Sequence, residues 1–248
     1  MIRLKNSAQL ALMQESCKLT VAALYEGASI IAPGVTLGEI DLKIRKFIEK
    51  HGGTPSFLGY AGFPKSSCIS VGDVVIHGIP GNQVLKDGDI VSIDVGAFLN
   101  GFHGDCARTF PCGKITPEAE RLIQVTKDSF YAGLAKACEG NRVGDISAAV
   151  QTTAESAGFS VVREYIGHGV GQNLHEAPDV PNFGVAGKGP RLYAGMTLAI
   201  EPMINAGKKE VYQLDDGWTV KTLDGSLSAH YENTVAITRD GAKILTEL

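Results

Sequence analysis

The chain has 248 residues, with 23 Lys and Arg residues against 27 Asp and Glu residues and a net charge of −4. A chain of this length buries about 70% of its surface on folding, so its core needs neither disulfides nor a structural metal. Hydrophobic residues make up 44% of the chain and charged residues 20%, which excludes intrinsic disorder. The mildly acidic balance argues against nucleic acid as a specific partner.

Nothing in the sequence indicates a membrane or secreted protein. No segment reaches the roughly 18 apolar residues that span a bilayer, and residues 1–7 lack the apolar stretch of a signal peptide. The five cysteines contain no C-x-x-C pair, so neither a disulfide framework nor a thiolate zinc site is indicated. We therefore expect a cytoplasmic protein with reduced thiols.

Periodicity predicts two helices in the first fifty residues. Apolar residues recur every three or four positions from about residue 7 to residue 31, and Pro33-Gly34 ends this helix. Thr36 and Glu39 then form the pattern of a capping box, which starts a second helix that Gly52-Gly53 ends.

The middle of the chain contains predicted strands and a third helix. Residues 68–76 and 89–98 are rich in β-forming residues. Thr116-Pro117 is a helix start with proline at the first helical position, and this helix is expected to run to about Cys138.

Two segments recur later in the chain at nearly the same offset. Residues 33–40 resemble residues 139–146 at an offset of 106, and residues 85–94 resemble residues 192–201 at an offset of 107. This pattern indicates a duplicated half, and it places the carboxylate of Asp94 at the position equivalent to Glu201.

Asp94 and Asp105 lie on either side of Asn100-Gly101, a strong hairpin signal because both residues of the turn tolerate positive φ. A two-residue turn there pairs Asp94 with Ala107 and Gly96 with Asp105, so the two aspartates project from one face as diagonal neighbours. Two like charges this close repel unless one is protonated or a cation lies between them. Both aspartates stand among apolar or small residues rather than on a solvated face, which favours a shared cation.

Two more isolated carboxylates and a histidine segment complete this set. Glu201 interrupts the apolar stretch 197–203, and Glu232 stands in a similar setting. A buried carboxylate without compensation is costly, and a metal removes that cost. The glycine-rich segment 167–176 contains His168 and His175. Imidazole together with oxygen ligands favours Mn²⁺, Fe²⁺ or Co²⁺, with Zn²⁺ also compatible, and four carboxylates with one neutral histidine balance two divalent ions.

Five residues resemble, in order and spacing, the metal ligands of the methionine aminopeptidases, which are M24 metallopeptidases: Asp94, Asp105, His168, Glu201 and Glu232. Six further motifs resemble the bacterial type I members of this family, at residues 59–60, 63–66, 77–80, 101–105, 200–203 and 216–219. The resemblance implies an α/β (α+β) pita-bread fold, in which two pseudo-symmetric halves with antiparallel sheet and flanking helices hold the metals between them. It also implies a single catalytic domain over residues 1–248.

The same resemblance implies an activity, the hydrolytic removal of the N-terminal methionine from nascent proteins that have a small uncharged second residue. Asp105 and Glu232 would bridge two divalent cations (Co, Mn, Fe, Zn or Ni). Asp94 would complete one metal site, and His168 and Glu201 would complete the other.

Three residues of the resemblance would carry the chemistry. Glu201 would pass protons while also serving as a ligand. His175 would steady the carbonyl or the tetrahedral oxyanion, and His77 would contact the peptide near its second residue.

The remaining implied sites concern the methionine side chain and a monovalent cation. The pocket for the thioether would be formed by Tyr60, Phe63, Cys68 and Trp218, because aromatic rings and sulfur suit a flexible thioether. A monovalent-cation site of some relatives is matched by Ser92, Val95 and Ser228. Four positions depart from the familiar family pattern, namely Ala61, Leu174, His230 and Asn233.

Two other functions remain open from the sequence. The nearest is a proline-specific aminopeptidase or dipeptidase of the same fold, although those enzymes usually carry an additional N-terminal domain and few residues precede Pro33 here. The other is a non-catalytic binding module, which typically loses metal ligands. We further expect a monomer that acts on N-terminal Met peptides and nascent chains. Two basic clusters allow weak contact with the ribosome, or they simply form an ordinary solvated face. These clusters are Lys43, Arg45 and Lys46, and Lys208 and Lys209.

Overall fold

The helices begin where side chains can cap them. The computed structural model describes residues 2–248, and the helices within that range are α1 (Ser7–Ala28), α2 (Leu37–Lys50), α3 (Pro117–Leu134) and α4 (Val143–Ser156). Asn6, Thr36 and Thr116 each accept a hydrogen bond from a first-turn amide, as N-cap residues do. Among residues 2–248, no helix has both the length and the apolar character needed to cross a bilayer.

Two of the predicted helix ends are too late in the chain. α1 ends at Ala28 rather than at residue 31, and α3 ends at Leu134 rather than near Cys138. In both places the chain tightens into turns whose amides bond three residues back, with Ile31 N to Ala28 O at 3.0 Å and Ala137 N to Leu134 O at 3.0 Å. The apolar spacing continues through such turns, so spacing alone does not separate them from the helix.

The strands form one large antiparallel sheet and two small ones. The nine-stranded sheet has the order β1 (Thr54–Pro55), β4 (Ile90–Leu99), β5 (Phe102–Pro111), β14 (Glu232–Thr238), β9 (Thr197–Ile200), β7 (Gly167–Gly169) and β8 (Glu176–Val180), with β2 (Ser67–Val71) also beside β4 and β15 (Gly241–Ile244) beside β14. One small sheet contains β13 (Ser228–His230), β10 (Met203–Asn205) and β6 (Ser160–Val161), and the other contains β11 (Val211–Gln213), β12 (Val220–Thr222) and β3 (Val74–Ile76). The β-rich stretch 68–76 therefore divides between two sheets.

The predicted duplication is visible in the backbone. Four hydrogen bonds link the start of α2 to the segment before β4, namely Gly34–Leu85, Leu85–Val35, Leu37–Gln83 and Gly38–Gly81. The corresponding four link the start of α4 to the segment before β9, namely Gly140–Leu192, Leu192–Asn141, Val143–Pro190 and Gly144–Lys188. Each partner is displaced by 106 or 107 residues, so the offset found in the sequence describes two equivalent halves.

Each half packs its helix pair through a glycine. A Cβ at Gly27 of α1 would lie 2.5 Å from Cγ1 of Ile44, and a Cβ at Gly133 of α3 would lie 2.8 Å from Cγ2 of Val150. The absence of a side chain lets α1 approach α2, and α3 approach α4, closely enough for β-branched side chains to fill the contact. These helix pairs cover the sheet and bury its core, which leaves the other face of the central strands for the site.

Candidate active site

The predicted hairpin sets the relative positions of the first two carboxylates. Asn100 and Gly101 adopt φ values of 54° and 83°, and β4 pairs with β5 in the register Asp94 to Ala107 and Gly96 to Asp105. Both values of φ are positive, as a two-residue turn of this type requires. Asp94 and Asp105 therefore project from the same face of the sheet, as the spacing predicts.

Three neighbouring strands bring further donors to that face. Glu232 on β14 lies beside Ala107 on β5, so Asp94 and Glu232 occupy one row across the sheet. Glu201 directly follows β9, and His168 on β7 pairs with Ala199 on β9. His168 Nε2 lies 3.5 Å from Glu201 Oε1 and 3.8 Å from Asp105 Oδ2. Ligand atoms of Asp105, His168 and Glu232 all fall within 4.8 Å of one another.

Burial makes negative charge costly throughout this cluster. Burial raises the pKa of Asp94 to about 8. Burial first, and neighbouring carboxylates second, raise the pKa values of Asp105, Glu201 and Glu232 well above the usual range. Burial lowers the pKa of His168 to about 3, so its imidazole is neutral at pH 7 and can act as a ligand.

The donor atoms fit divalent metal ions. Asp94 Oδ1 and Asp105 Oδ1 are buried and have no hydrogen-bond partner within residues 2–248. Unpaired buried carboxylate oxygens are expensive, and divalent cations are the groups that satisfy several of them at once. Carboxylate oxygens with one neutral imidazole form a donor set for first-row divalent ions rather than for a thiolate site.

Two more predicted histidines stand at the edge of this cluster. The ring of His175 lies 4.0 Å from that of His168, and its Nδ1 is 2.8 Å from Tyr60 Oη. Burial lowers the pKa of His175 below its ordinary value, and burial followed by the charge of His175 lowers the pKa of His77 to about 4. Both histidine rings are therefore neutral at pH 7. His77 also has a φ of 57°, which is unusual for a residue with a side chain. Such backbone strain clusters at functional sites.

A cavity of about 320 Å³ opens onto the carboxylates. Phe63, Cys68 and Leu174 are buried together in its wall, and Trp218 packs edge-on against Phe63 with ring centroids 5.1 Å apart. Tyr60 is 42% exposed and stands at the rim. The four predicted pocket residues thus line one apolar cavity, with the departure Leu174 among them.

Sequence reasoning missed several residues of this cavity. Phe57, Glu164, Tyr165 and Ile166 also line it, and the Tyr165 ring lies 5.6 Å from that of His77 in an edge-on arrangement. The available signal was position, because residues 164–166 immediately precede the histidine segment. Phe57 offered no signal beyond an ordinary core residue.

Of the other three departures, His230 lies beside the carboxylates and two lie elsewhere. His230 Nε2 is buried without a hydrogen-bond partner within residues 2–248 and lies 3.9 Å from Glu201 Oε2. Asn233 Oδ1 accepts a hydrogen bond from Arg108 Nη2 at 2.6 Å, on the opposite face of the sheet from Glu232. Ala61 lies in a short 3₁₀ turn with φ 47°.

The remaining predicted sites are less distinct in the structure. Ser92 Oγ bonds to Thr109 Oγ1 at 2.8 Å, whereas Ser228 Oγ donates to Asn205 Oδ1 at 2.9 Å. The two hydroxyl groups therefore have separate protein partners, and the monovalent-cation site with Val95 stays a prediction. In the basic clusters, three side chains form ion pairs on exposed surface, namely Lys43 with Glu26, Arg45 with Glu49, and Lys209 with Glu210.

The fold and the carboxylate–histidine cluster define a metallopeptidase. The model of metallopeptidase family M24 matches residues 11–239, and the chain belongs to this family. Its membership implies the use of divalent metal and confirms the predicted hydrolase class.

Similarity to individual proteins is strongest with the methionine aminopeptidases. The methionine aminopeptidase of Clostridium perfringens is 56% identical over 99% of both chains, and methionine aminopeptidase 1 of Bacillus subtilis is 51% identical over the full length of both. The solved structure of the methionine aminopeptidase from Rickettsia prowazekii matches with a TM-score of 0.98 at 41% identity, again over both full chains. The predicted pita-bread fold and the family resemblance are confirmed.

A prolidase shares only the fold. The structure of the prolidase from Pyrococcus horikoshii matches with a TM-score of 0.79 at 20% identity, over 98% of this chain and 63% of that chain. This likeness shows the fold alone, whereas the similarity to methionine aminopeptidases extends through the whole sequence.

Proposed function

We propose that this chain removes the N-terminal methionine of nascent proteins by hydrolysis, with preference for a small uncharged second residue. One observation carries the proposal: the five donors Asp94, Asp105, His168, Glu201 and Glu232 converge at an apolar cavity lined by aromatic rings and a thiol. Full-length similarity to methionine aminopeptidases supports the same function. The proline-specific alternative is supported by a likeness in fold alone.

Two divalent cations would be held by these donors. The residues that would hold them are Asp94, Asp105, His168, Glu201 and Glu232. The donor types are compatible with Co, Mn, Fe, Zn or Ni. When bound, such ions supply Lewis acidity and a water of lowered pKa.

The chain's own residues handle the protons and the developing charge. Glu201 takes a proton from the attacking water and passes it to the leaving amine. His175 uses Nδ1 for Tyr60, so its Nε2 is free to donate to the scissile carbonyl oxygen as that atom gains negative charge. Burial lowers the pKa of His175 and keeps its ring neutral at pH 7. With Nδ1 accepting from Tyr60, the single ring proton lies on Nε2.

Specificity follows from the walls of the cavity. The methionine side chain occupies the space between Phe63, Cys68 and Trp218, which bury its thioether and exclude water. His77 lies 6.2 Å from Trp218 and packs against Tyr165, as measured between ring centroids. From these contacts we infer that His77 lies beside the second residue of the peptide, where a small side chain is preferred.

The test is turnover of a Met-Ala-Ser peptide by the metal-loaded protein. Glu201→Ala and His175→Ala should each abolish turnover while the protein stays folded. His51→Ala, at the exposed end of α2, is the matched control and should leave turnover unchanged. Retained turnover in either active-site variant would remove that residue from its role.

Two further measurements separate the alternatives. A panel that compares Met-Ala with Xaa-Pro peptides distinguishes a methionine aminopeptidase from a proline-specific enzyme. Stripping the metals and returning Co, Mn, Fe, Zn or Ni one at a time identifies the ion that restores activity. A folded protein that holds no divalent ion and cleaves no peptide would favour the binding module.

The cellular setting is also part of the proposal. We place the enzyme in the cytoplasm as a monomer that meets nascent chains, with weak ribosome contact. All five cysteines are free, which suits a reducing compartment. Sedimentation with and without ribosomes tests the oligomeric state and the contact together.

A further inference from the structure

A buried ion pair lies directly behind His175. Lys5 Nζ is 2.7 Å from Glu176 Oε2, and the two side chains are only 5% and 4% exposed. Glu176 follows His175 in the chain and begins β8, whereas Lys5 belongs to the segment before α1. The function proposed above gives this pair no role.

Glu176 closes the loop that carries His175. Its second carboxylate oxygen, Oε1, accepts a hydrogen bond from Asn173 N at 3.2 Å. Gly171 N bonds to Asn173 O at 3.0 Å, and His103 N donates to Gly171 O at 2.8 Å. Residues 171–175, here called the histidine loop, are therefore fixed at one end by β5 and at the other by Glu176.

Lys5 is itself held in place by the backbone. Its amide donates to Gly195 O at 2.7 Å, and its ammonium group also donates to Arg3 O at 3.3 Å. A buried charge that loses its partner is left uncompensated, so the pair resists separation far more than an exposed pair does. The segment before α1 thus fixes the position of the Glu176 carboxylate through Lys5.

The ion pair also accounts for a glycine in the histidine segment. A Cβ at Gly171 would lie 2.7 Å from Lys5 Nζ and 2.8 Å from Glu176 Oε1. The close approach that glycine permits at this position is therefore made by Lys5 and Glu176.

We propose that Lys5 is a positioning residue for His175. By pairing with Glu176, it keeps the histidine loop in the conformation that places His175 Nδ1 2.8 Å from Tyr60 Oη and the His175 ring 4.0 Å from the His168 ring. Its effect on catalysis rests on the proposed function of His175, whereas its effect on the loop rests on the contacts above.

The experiment compares Lys5→Met, which removes the charge, with Lys5→Arg, which keeps it. Lys43→Met is the matched control, because Lys43 Nζ on α2 forms an equally short pair of 2.7 Å with Glu26 on α1, and these side chains are 33% and 38% exposed. Hydrogen exchange of the Asn173 and Glu176 amides reports the loop directly, and kcat and KM for Met-Ala-Ser report its effect on turnover.

In Lys5→Met, exchange in the histidine loop should accelerate by about tenfold or more while α3 exchanges as before. The value of kcat should fall by about 10- to 100-fold with a much smaller change in KM, since a misplaced group acts mainly on the transition state. Lys5→Arg should recover most of both effects, and Lys43→Met should show neither.

A folded Lys5→Met protein with unchanged loop exchange and unchanged kcat would overturn the proposal. If Lys5→Met does not fold, the double variant Lys5→Met with Glu176→Gln removes both charges, and the same loop exchange and kcat losses are expected from it. Failure of the proposed function is distinguishable, because the unchanged protein would then not cleave Met-Ala-Ser while the exchange measurement would still test the loop.

Discussion

The two halves of the molecule share a backbone but differ in the side chains that reach the site. Equivalent hydrogen bonds surround the starts of α2 and α4, and equivalent glycines join each helix pair. The inner strands also correspond, because Glu201 follows Asp94 at the same offset of 107 that relates Leu85 to Leu192. The helix pairs and the segments that lead into β4 and β9 are therefore duplicated in the two halves.

The donors do not follow this symmetry. Gly88 N donates to Cys112 O in the first half as Gly195 N donates to Ile237 O in the second, so Cys112 is equivalent to Ile237. Counting back along β5 and β14 from this pair, Ala107 is equivalent to Glu232 and Asp105 to His230. Ser70 pairs with Ser92 on β4, as His168 pairs with Ala199 on β9, so serine stands where the other half has its predicted histidine ligand. Each half thus contributes a different set of donors, and the two predicted metal sites are chemically unequal.

The largest expected effect tests whether the two halves differ in the metal ligands that they supply, at the equivalent positions Asp105 and His230. Asp105→Asn should lower turnover of Met-Ala-Ser by more than about 100-fold and reduce bound metal, because it removes a ligand oxygen. His230→Gln changes the equivalent residue in the other half and should cost less than about tenfold. Turnover together with metal content per protein provides the measurement. Equal losses of metal in the two variants would mean that both positions supply ligands.

The next effect concerns the stability of the metal-free protein at different pH values. A carboxyl group whose pKa is higher in the folded state than in the unfolded state loses stability as pH rises towards the folded pKa. Asp94 has an ordinary pKa near 4 when unfolded and about 8 when folded. The neutral buried histidines have the opposite effect, but only below about pH 6.5. Between pH 6.5 and 8, the change in stability with pH therefore comes from the buried carboxyl groups and not from the histidines.

Over that window, Asp94 alone should cost the chelated protein about 2 kcal/mol, or about 4–8 °C in Tm, and the other buried carboxylates should add to this loss. Calorimetry with a chelator provides the measurement, and the same scan with Mn²⁺ is the control, which should remove the decline. Asp94→Asn in the first half and Glu201→Gln in the second should each flatten the profile. A chelated protein that becomes more stable across this window would contradict the raised pKa values.

The glycine contacts offer a smaller, purely structural test of the duplication. Gly27→Ala and Gly133→Ala should both destabilise the protein, because each new methyl group overlaps a β-branched side chain of the next helix. The first variant should cost about 1–3 kcal/mol and the second less, since the overlap with Ile44 is the closer of the two. Urea unfolding of the metal-loaded protein measures both.

Ile44→Ala provides the control for this pair. It removes both Cγ1 and Cδ1, which would lie 2.5 Å and 2.6 Å from the new methyl group, so the double variant with Gly27→Ala should lose less stability than the sum of the two single variants. A Gly27→Ala protein as stable as the parent would show that the close helix approach is not required.

Sequence alone predicted the features that depend on local geometry. The Asn100-Gly101 turn fixes its own register, so the shared face of Asp94 and Asp105 followed from positive φ and the two-residue period of a strand. The offset between the halves was also readable, because turn and capping residues recur where the backbone recurs. These signals depend on neighbours in the chain.

Contacts between residues that are far apart in the chain could not be predicted from the sequence in this way. The connection from Glu201 to Glu232 forms strands of two small sheets, and its counterpart in the first half is the two-residue turn. Lys5 and Glu176 are 171 positions apart, and no local pattern marks either as a partner. The contact between His168 and Glu201 likewise needs β7 and β9 to be adjacent, which only the folded sheet determines.

The smallest expected effect compares the caps of α2 and α4, which stand at equivalent positions. Thr36 Oγ1 accepts a hydrogen bond from Glu39 N at 3.2 Å, whereas at the start of α4 Arg142 has no acceptor in its side chain and only Asp145 bonds back to the Arg142 amide, at 2.7 Å. Thr36→Ala should therefore cost about 1 kcal/mol. Arg142→Ala should cost less than half as much, because it removes only an exposed bond to Gly189 O. Urea unfolding measures both differences, and equal losses would mean that capping does not distinguish the two halves.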